Sequence, residues 1–405
     1  MSDRMPLSGV KVLDVTGSVA GPYCSLLLAD MGADVIKVEP PGAGDDARHW
    51  GPPFLNGESA WYLSLNRRKK SVTLDFTRQK GKELLLALAR ESDVFLTNLR
   101  PQVLERHGLT YKDVGGINPS IVYCGLTGYG FTGPYRERAA YDLIAEGMGG
   151  IMSVTGEAGG RPQKVGTPAA DMSAGTYAAF AIVSSLYRKR ATGEGEFIDV
   201  SLLDGQIAFQ TPRFVSFLIS GDVPGRTGAT DSVIAIYQAF RTLDGEITLG
   251  IGNDATWRRL CEALDMPELA ERAEYATNNK RRERREELVG ILSPCLSGKK
   301  TDELLDLLVR WSVPCGPIYT FDRVVGDPHV RERGMVMTIP MPGVGDVPQI
   351  APPWKLGQGP GDPPDPPPRL GEHNEEVLCG QLGIRKEELR ELSAAGIIGD
   401  DSRQS

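Results

Sequence analysis

The chain has 405 residues, with 45 basic against 53 acidic side chains for a formal net charge of −8, 40% apolar and 24% charged. That length supports two or three compact units, and the near-average composition excludes wholesale disorder and fibrous architectures. The negative balance disfavours nucleic acid or an anionic membrane as a partner recruited by overall charge, and the most apolar stretch, Gly175 to Tyr187, is too short to span a bilayer.

In chain order, Val10 to Val15 reads as a strand, Gly17 and Gly21 as a turn, Tyr23 to Met31 as a helix stopped by Gly32, and Val35 to Val38 as a second strand. The pattern repeats with a strand Ser71 to Leu74, a helix Lys80 to Ala89, and strands Val94 to Thr97 and Ile121 to Gly125. This alternation predicts an α/β protein with a mostly parallel, doubly wound sheet. A long apolar helix is predicted over Met172 to Tyr187, followed by a buried strand Phe197 to Val200. The texture changes at Gly221 to Gly228.

From there to Asp327 the sequence predicts a smaller α+β module: strands Ser232 to Arg241 and Glu246 to Gly250, then helices. One helix places Trp257, Leu260, Cys261 and Leu264 on one face; another, N-capped by Thr301, does so with Leu304, Leu305, Leu308 and Trp311. Eight prolines between Ala351 and Leu370 predict an extended arm, with short helices Glu375 to Gln381 and Lys386 to Ala394 after it. The domain boundaries expected are therefore 1–220, 221–327 and a return segment 328–405.

The six cysteines (24, 124, 261, 295, 315, 379) form no C-x-x-C pair and the four histidines (49, 107, 329, 373) are scattered, so neither a disulfide framework nor a metal site is signalled. Residues 1–8 resemble neither a secretory nor a transit signal, and the expected location is the cytoplasm. The turn Gly17 to Pro22 lacks the dinucleotide-binding glycine spacing. The cluster Arg67-Arg68-Lys69-Lys70, with Arg100, Arg106 and Arg138 farther on, is either a solvated face or a dock for a small polyanionic ligand at the strand edges. Asp171 precedes the long apolar helix. It reads either as a helix N-cap or as a carboxylate beside backbone amides, ionised at pH 7 and able to attack a thioester.

An ordered set of segments carries a family resemblance: Leu7 to Asp14, Gly32 to Pro40, Leu65 to Leu74, Gly128-Tyr129-Gly130 with Gly133-Pro134, Tyr141-Asp142, Asp171, Thr192 to Gly195 and Leu370 to His373. Together they resemble the class III CoA-transferases, relatives of formyl-CoA transferase and carnitine CoA-transferase, over nearly the whole chain. Arg48 to Phe54 looks most like the branch using succinyl-CoA and dicarboxylates.

The resemblance implies CoA transfer from an acyl-CoA donor, succinyl-CoA in that branch, to a dicarboxylate such as malate, citramalate, mesaconate or glutarate. Asp171 would be the nucleophile, with a coenzyme A thioester as substrate and no permanently bound cofactor or metal. Carried over by motif position, Val19, Ala20, Lys69, Lys70, Asn98, Arg106, Arg138, Tyr141 and Asp142 would contact CoA. Arg48, Arg67 and Arg281 are the candidates for a second substrate carboxylate, since a buried carboxylate needs a charged partner. An interlocked homodimer is implied, a hetero-oligomer with a paralogous subunit being the variant. Val19 stands where the formyl-CoA enzymes carry Gln, and their poly-glycine loop is thinned here to Gly225-Arg226-Thr227-Gly228. The alternatives are an α-methylacyl-CoA racemase-type isomerase, disfavoured by Tyr141 where those enzymes place His, and a CoA-binding subunit without catalysis.

Overall fold

The computed structural model describes residues 5–357 and 364–399. The chain forms two compact units: the larger takes residues up to Ile151, then Lys164–Gly221 and the return from Glu332; the smaller takes Met152–Gln163 and Asp222–Arg331. The segment 152–163, read from sequence as part of the N-terminal domain, thus groups with the smaller unit. Among the described residues no helix is long and apolar enough to cross a membrane.

The strands in chain order are β1 (Lys11–Val15), β2 (Asp34–Glu39), the short pair β3 (Phe54–Leu55) and β4 (Glu58–Ser59), β5 (Lys69–Thr73), β6 (Val94–Thr97), β7 (Val122–Thr127) and β8 (Glu196–Ser201). Six of them make one sheet in the order β5-β2-β1-β6-β7-β8, every neighbouring pair parallel. The order reverses between β1 and β6. In such sheets the crevice outside the strands' carboxyl ends at this reversal is where ligands bind.

Helices α1 (Ala20–Asp30), α2 (Ala60–Leu65), α3 (Gln79–Arg90), α4 (Pro101–His107), α5 (Tyr111–Ile117), α6 (Asp142–Met148), α7 (Ile151–Val154), α8 (Ala169–Thr192), α9 (Leu202–Phe209) and α10 (Thr211–Ser220) follow the strands. Leucines and valines of the strands point alternately to two cores. One is closed by Cys24 and Leu28 of α1 with Ala174, Ala178 and Ile182 of α8. The other is closed by Leu84, Leu85 and Leu88 of α3 with Val377, Leu378 and Leu389 of the return segment. Helices thus cover both faces, as a parallel sheet requires.

The return segment also seals the outer edge of β5. Asn374 pairs its side-chain amide with Thr73, Gly371 and His373 bond to Ser71, and the Asp75 amide meets Ile397 O at 2.8 Å. Extended strand edges left open invite pairing with other chains, and this one is covered.

In the smaller unit β9 (Tyr237–Arg241), β10 (Glu246–Gly250) and β11 (Cys315–Pro317) form an antiparallel sheet over a core around Trp257, Leu260, Leu292 and Leu308. The strand expected from Ser232 begins only at Tyr237. The Asp231 carboxylate takes the amides of Val233 and Ile234, and Arg285 takes the carbonyls of Ile234 and Ala235, so side chains satisfy that backbone. Thr301 is the first helical residue rather than the N-cap, which is Lys300; its amide and hydroxyl bond to Asp244. The hairpin β12 (Val336–Met341) with β13 (Gly345–Ile350) belongs to the larger unit and was not expected. The proline-rich arm lies partly outside the described residues.

Candidate active site

The β1–α1 turn lies at the sheet's reversal point and is pinned from several sides. Asn98, just past β6, accepts the Gly17 amide (3.2 Å) and donates to the Gly17 carbonyl (2.8 Å), bridging the two strand ends. Ser18 sits in the left-handed region (φ 69°), and its amide is held by Asp45 Oδ1 at 2.9 Å. Lys37 Nζ donates to Thr16 O and pairs with Asp45, each at 2.8 Å. A non-glycine residue is rarely stable in this conformation without such support. Val19 and Ala20 open α1 with side chains buried; Val19 packs with Leu26, Leu65 and Met172.

Met172 adjoins Asp171, and a close helix crossing brings them there. At Gly175 in α8 a Cβ would stand 2.6 Å from Ala20 O, so only glycine lets α8 approach α1 this closely. On its other side Ala174 packs on Gly205 of α9. Small residues one turn below Asp171 therefore set its height above the β1–α1 turn.

Asp171 is the third residue of α8, not its N-cap; that position is Pro168, which makes no side-chain cap. The cap comes from α6: Asp142 Oδ1 accepts the amides of Ala170 (2.8 Å) and Asp171 (3.2 Å). Asp142 thus takes the donors that would otherwise steady an anion at this helix start. Asp171 was expected to be ionised at pH 7 as an ordinary carboxylate is. Burial, then the nearby Asp142 and Glu146 carboxyls, instead raise its pKa to about 7. A carboxylate with that pKa is a stronger nucleophile than an ordinary one and is still substantially ionised at neutral pH.

Several other expected contacts lie elsewhere. Lys69 is fully buried, its ammonium bonded to Pro22 O and Asn66 Oδ1 (2.9 Å each) and 3.5 Å from Asp14, and burial pulls its pKa down to about 8. It is an internal strut. Lys70 pairs with Asp34 and Glu376, both at 3.2 Å. These lysines start β5, whereas the crevice lies at the strands' carboxyl ends.

The three candidate arginines have their donors committed internally. Arg48 is bidentate on Glu39 (2.7 and 2.8 Å) and bonds Tyr62 OH. Arg67 is bidentate on Asp30 and also bonds Gln349. Arg281 bonds Tyr275 O and Asp254. Turning Arg48 or Arg67 outward to a substrate carboxylate would strand the buried Glu39 or Asp30, and Arg281 is itself buried with its guanidinium on a half-exposed Asp254.

Arg106 and Arg138 are exposed, as is Tyr141, which starts α6. The Arg136–Glu105 ion pair (2.7 Å) joins the elements that carry the two arginines, and Arg138 stacks on Tyr135 at 3.8 Å. A cavity of about 300 Å³ opens beyond the carboxyl ends of β2 and β5, lined by Pro40, Pro41, Leu74, Asp75, Phe76, Thr77 and Gly396. Neither this cavity nor the roles of Asp45 and Glu146 were read from the sequence. The four-residue spacing of Asp142 and Glu146 on one helix face was the available signal for the latter.

The family description that matches residues 7–374 is CoA-transferase family III. The chain belongs to this family. Among its relatives, the human succinyl-CoA:glutarate CoA-transferase is 40% identical over 98% of this chain and 91% of its own length. The Agrobacterium fabrum succinate–glutarate CoA-transferase is also 40% identical (93% and 96% covered). The Chloroflexus aurantiacus succinyl-CoA–D-citramalate CoA-transferase is 34% identical (97% and 98%). Among solved structures, a CAIB/BAIF family protein from Brucella suis superposes with a TM-score of 0.81 at 38% identity, covering 93% of this chain and 99% of that one. A Mycobacterium tuberculosis protein superposes with a TM-score of 0.82 at 30% identity, covering 92% and 99%. The chain is thus a CoA-transferase by family, built on the α/β fold of these relatives.

Proposed function

We propose that this CoA-transferase moves CoA from succinyl-CoA to a dicarboxylic acid, with glutarate the first acceptor to test, and that Asp171 is its nucleophile. The observation that carries the reading is the Asp171 carboxyl itself: half-buried at the start of α8, beside the β1–α1 turn, with its pKa raised to about 7. Names of relatives at 34–40% identity support the choice of acids.

In the forward half-reaction the Asp171 carboxylate attacks the thioester carbonyl, the C–S bond breaks, and a mixed anhydride forms with release of CoA thiolate. The thiolate then attacks the aspartyl carbonyl, freeing succinate and leaving an aspartyl-CoA thioester. The acceptor carboxylate attacks that thioester to give a second anhydride; the returning thiolate takes its acyl group, and Asp171 is regenerated. Anhydride and thioester both hydrolyse readily, so burial that excludes water protects them.

The CoA nucleotide is assigned to the carboxyl-end crevice, where the cavity by Phe76 and the exposed Arg106 and Arg138 offer an apolar wall and charge for phosphates. An interlocked homodimer belongs to the same reading. Its support is α10, none of whose side chains is buried although it carries Phe214, Val215, Phe217, Leu218 and Ile219.

The test is direct. Succinyl-CoA incubated with glutarate, malate, citramalate, mesaconate and butyrate should yield new CoA esters of the dicarboxylates well before butyryl-CoA. Asp171→Ala should fold yet lose turnover by several orders of magnitude, and hydroxylamine during turnover should label Asp171 in the wild type. An active Ala variant would refute the nucleophile; a preference for butyrate would refute the substrate class.

A further inference from the structure

Glu146 lies one turn beyond Asp142 on α6 and is fully buried. Its Oε2 accepts the Val165 amide at 2.9 Å, while Oε1 is sealed from solvent with no donor among the described residues. The side chain its carboxyl meets is that of Asp142, whose Oδ1 is already engaged with the amides of Ala170 and Asp171. Two ionised carboxylates are acceptors only, so such a contact is favourable only when one of them carries a proton and donates it. The surroundings decide which. Each carboxyl faces two backbone amides, Ala170 and Asp171 for Asp142, Val165 and Ala169 for Glu146, but Glu146 is completely buried and Asp142 only partly, which favours neutrality at Glu146.

We propose that Glu146 is a positioning residue that stays protonated across the working pH range and donates to Asp142, holding that carboxylate on the amides of Ala170 and Asp171. It thereby fixes the turn that presents the nucleophile. The inference rests on Asp171 being that nucleophile. The titratable groups facing Glu146 are Asp142 on its own helix and Asp171 on α8. The incoming segment contributes the Val165 amide, with the Lys164 ammonium turned to Val165 O at 2.9 Å. α9 meets α6 through the uncharged Gln206 and Gln210, the latter donating to Gly149 O. No cation among these competes for the pair. With Glu146 neutral, the elevation of Asp171 falls to burial and Asp142, the larger two of its three causes.

The experiment compares kcat, KM and the pH profile of kcat/KM for succinyl-CoA with one acceptor in the wild type, Glu146→Gln, Glu146→Leu and Asp171→Ala. Gln has the shape of the protonated acid and can donate from its amide. Glu146→Gln should keep kcat within about twofold and leave the acid limb of the profile in place. Glu146→Leu should lower kcat about tenfold or more with KM changed far less, as loss of one hydrogen bond to a charged acceptor would do. If the acid limb of Glu146→Gln moves down by about half a pH unit or more, a negative charge has been removed from beside Asp171 and the proposal is overturned. Wild-type kcat in Glu146→Leu overturns it equally. If the Leu variant does not fold, the position of the limb in Glu146→Gln decides alone. Retained activity in Asp171→Ala would instead sink the nucleophile assignment, a separate failure.

Discussion

Asp171 must shed a proton before it can attack, and its raised pKa, about 7, sets where that happens. With the nucleophile as the required base, kcat/KM should fall about tenfold per unit below that pH, measured as a pH–rate profile at subsaturating succinyl-CoA. Stability carries the opposite sign. The folded pKa lies above the unfolded value of roughly 4, so stability this group allows at low pH is lost as pH rises from about 4 through 7. Asp171→Asn should therefore melt higher than the wild type at pH 8, by up to about 4 kcal/mol, with the gain shrinking toward pH 5. A constant difference at all pH values would contradict the shift. The arginines behave differently: Arg67→Met leaves the buried Asp30 with only Arg68 at 3.8 Å and should cost about 3 kcal/mol in denaturant unfolding, while leaving the preference for glutarate over butyrate unchanged. Asp171 was legible in the sequence because motif order and an apolar helix mark it together. The engagement of Arg48, Arg67 and Arg281 was not, because their acidic partners Glu39, Asp30 and Asp254 lie 9, 37 and 27 residues away and nothing in a single chain marks such pairs.

At the scale of elements, the crossing of α8 over α1 is what the site depends on. Gly175→Ala puts a methyl carbon against the backbone oxygen of Ala20, which cannot swing aside as a side chain would. The helices must separate, at about 1–3 kcal/mol, and a displacement near 1 Å at the nucleophile should lower kcat about 100-fold. Thermal melts and steady-state kinetics of this variant check both numbers; a wild-type kcat would show that Asp171 does not take its position from this contact. The alternation of strand and helix was readable because hydrophobic period changes cleanly from one to the other in the first 200 residues. The β12–β13 hairpin was hidden by Pro340 and Pro348, residues that usually mark strand ends but are tolerated in a two-stranded ribbon with free outer edges. Likewise no local pattern reveals that 371–374 would lie along β5, since that pairing is specified some 300 residues away.

For the whole molecule, the same pairing makes the larger unit a product of both halves of the chain. Asn374→Ala removes the bonds to Thr73 on β5 and should destabilise the protein by about 1–3 kcal/mol. A chain stopped before residue 364 should form soluble aggregates on size-exclusion chromatography, because β5 would present an open edge. During synthesis the order of events is constrained in time. At about 5–20 residues per second, roughly 15–60 seconds separate the emergence of Thr73 from that of Asn374. Late in that interval, once Arg331 has emerged, the smaller unit has its complete sequence while the parallel sheet still waits with one margin uncovered. The nascent protein is thus exposed to misassembly on the ribosome in a way the finished enzyme is not, and a chaperone that shields the N-terminal half until translation ends should raise its yield more than one added afterwards.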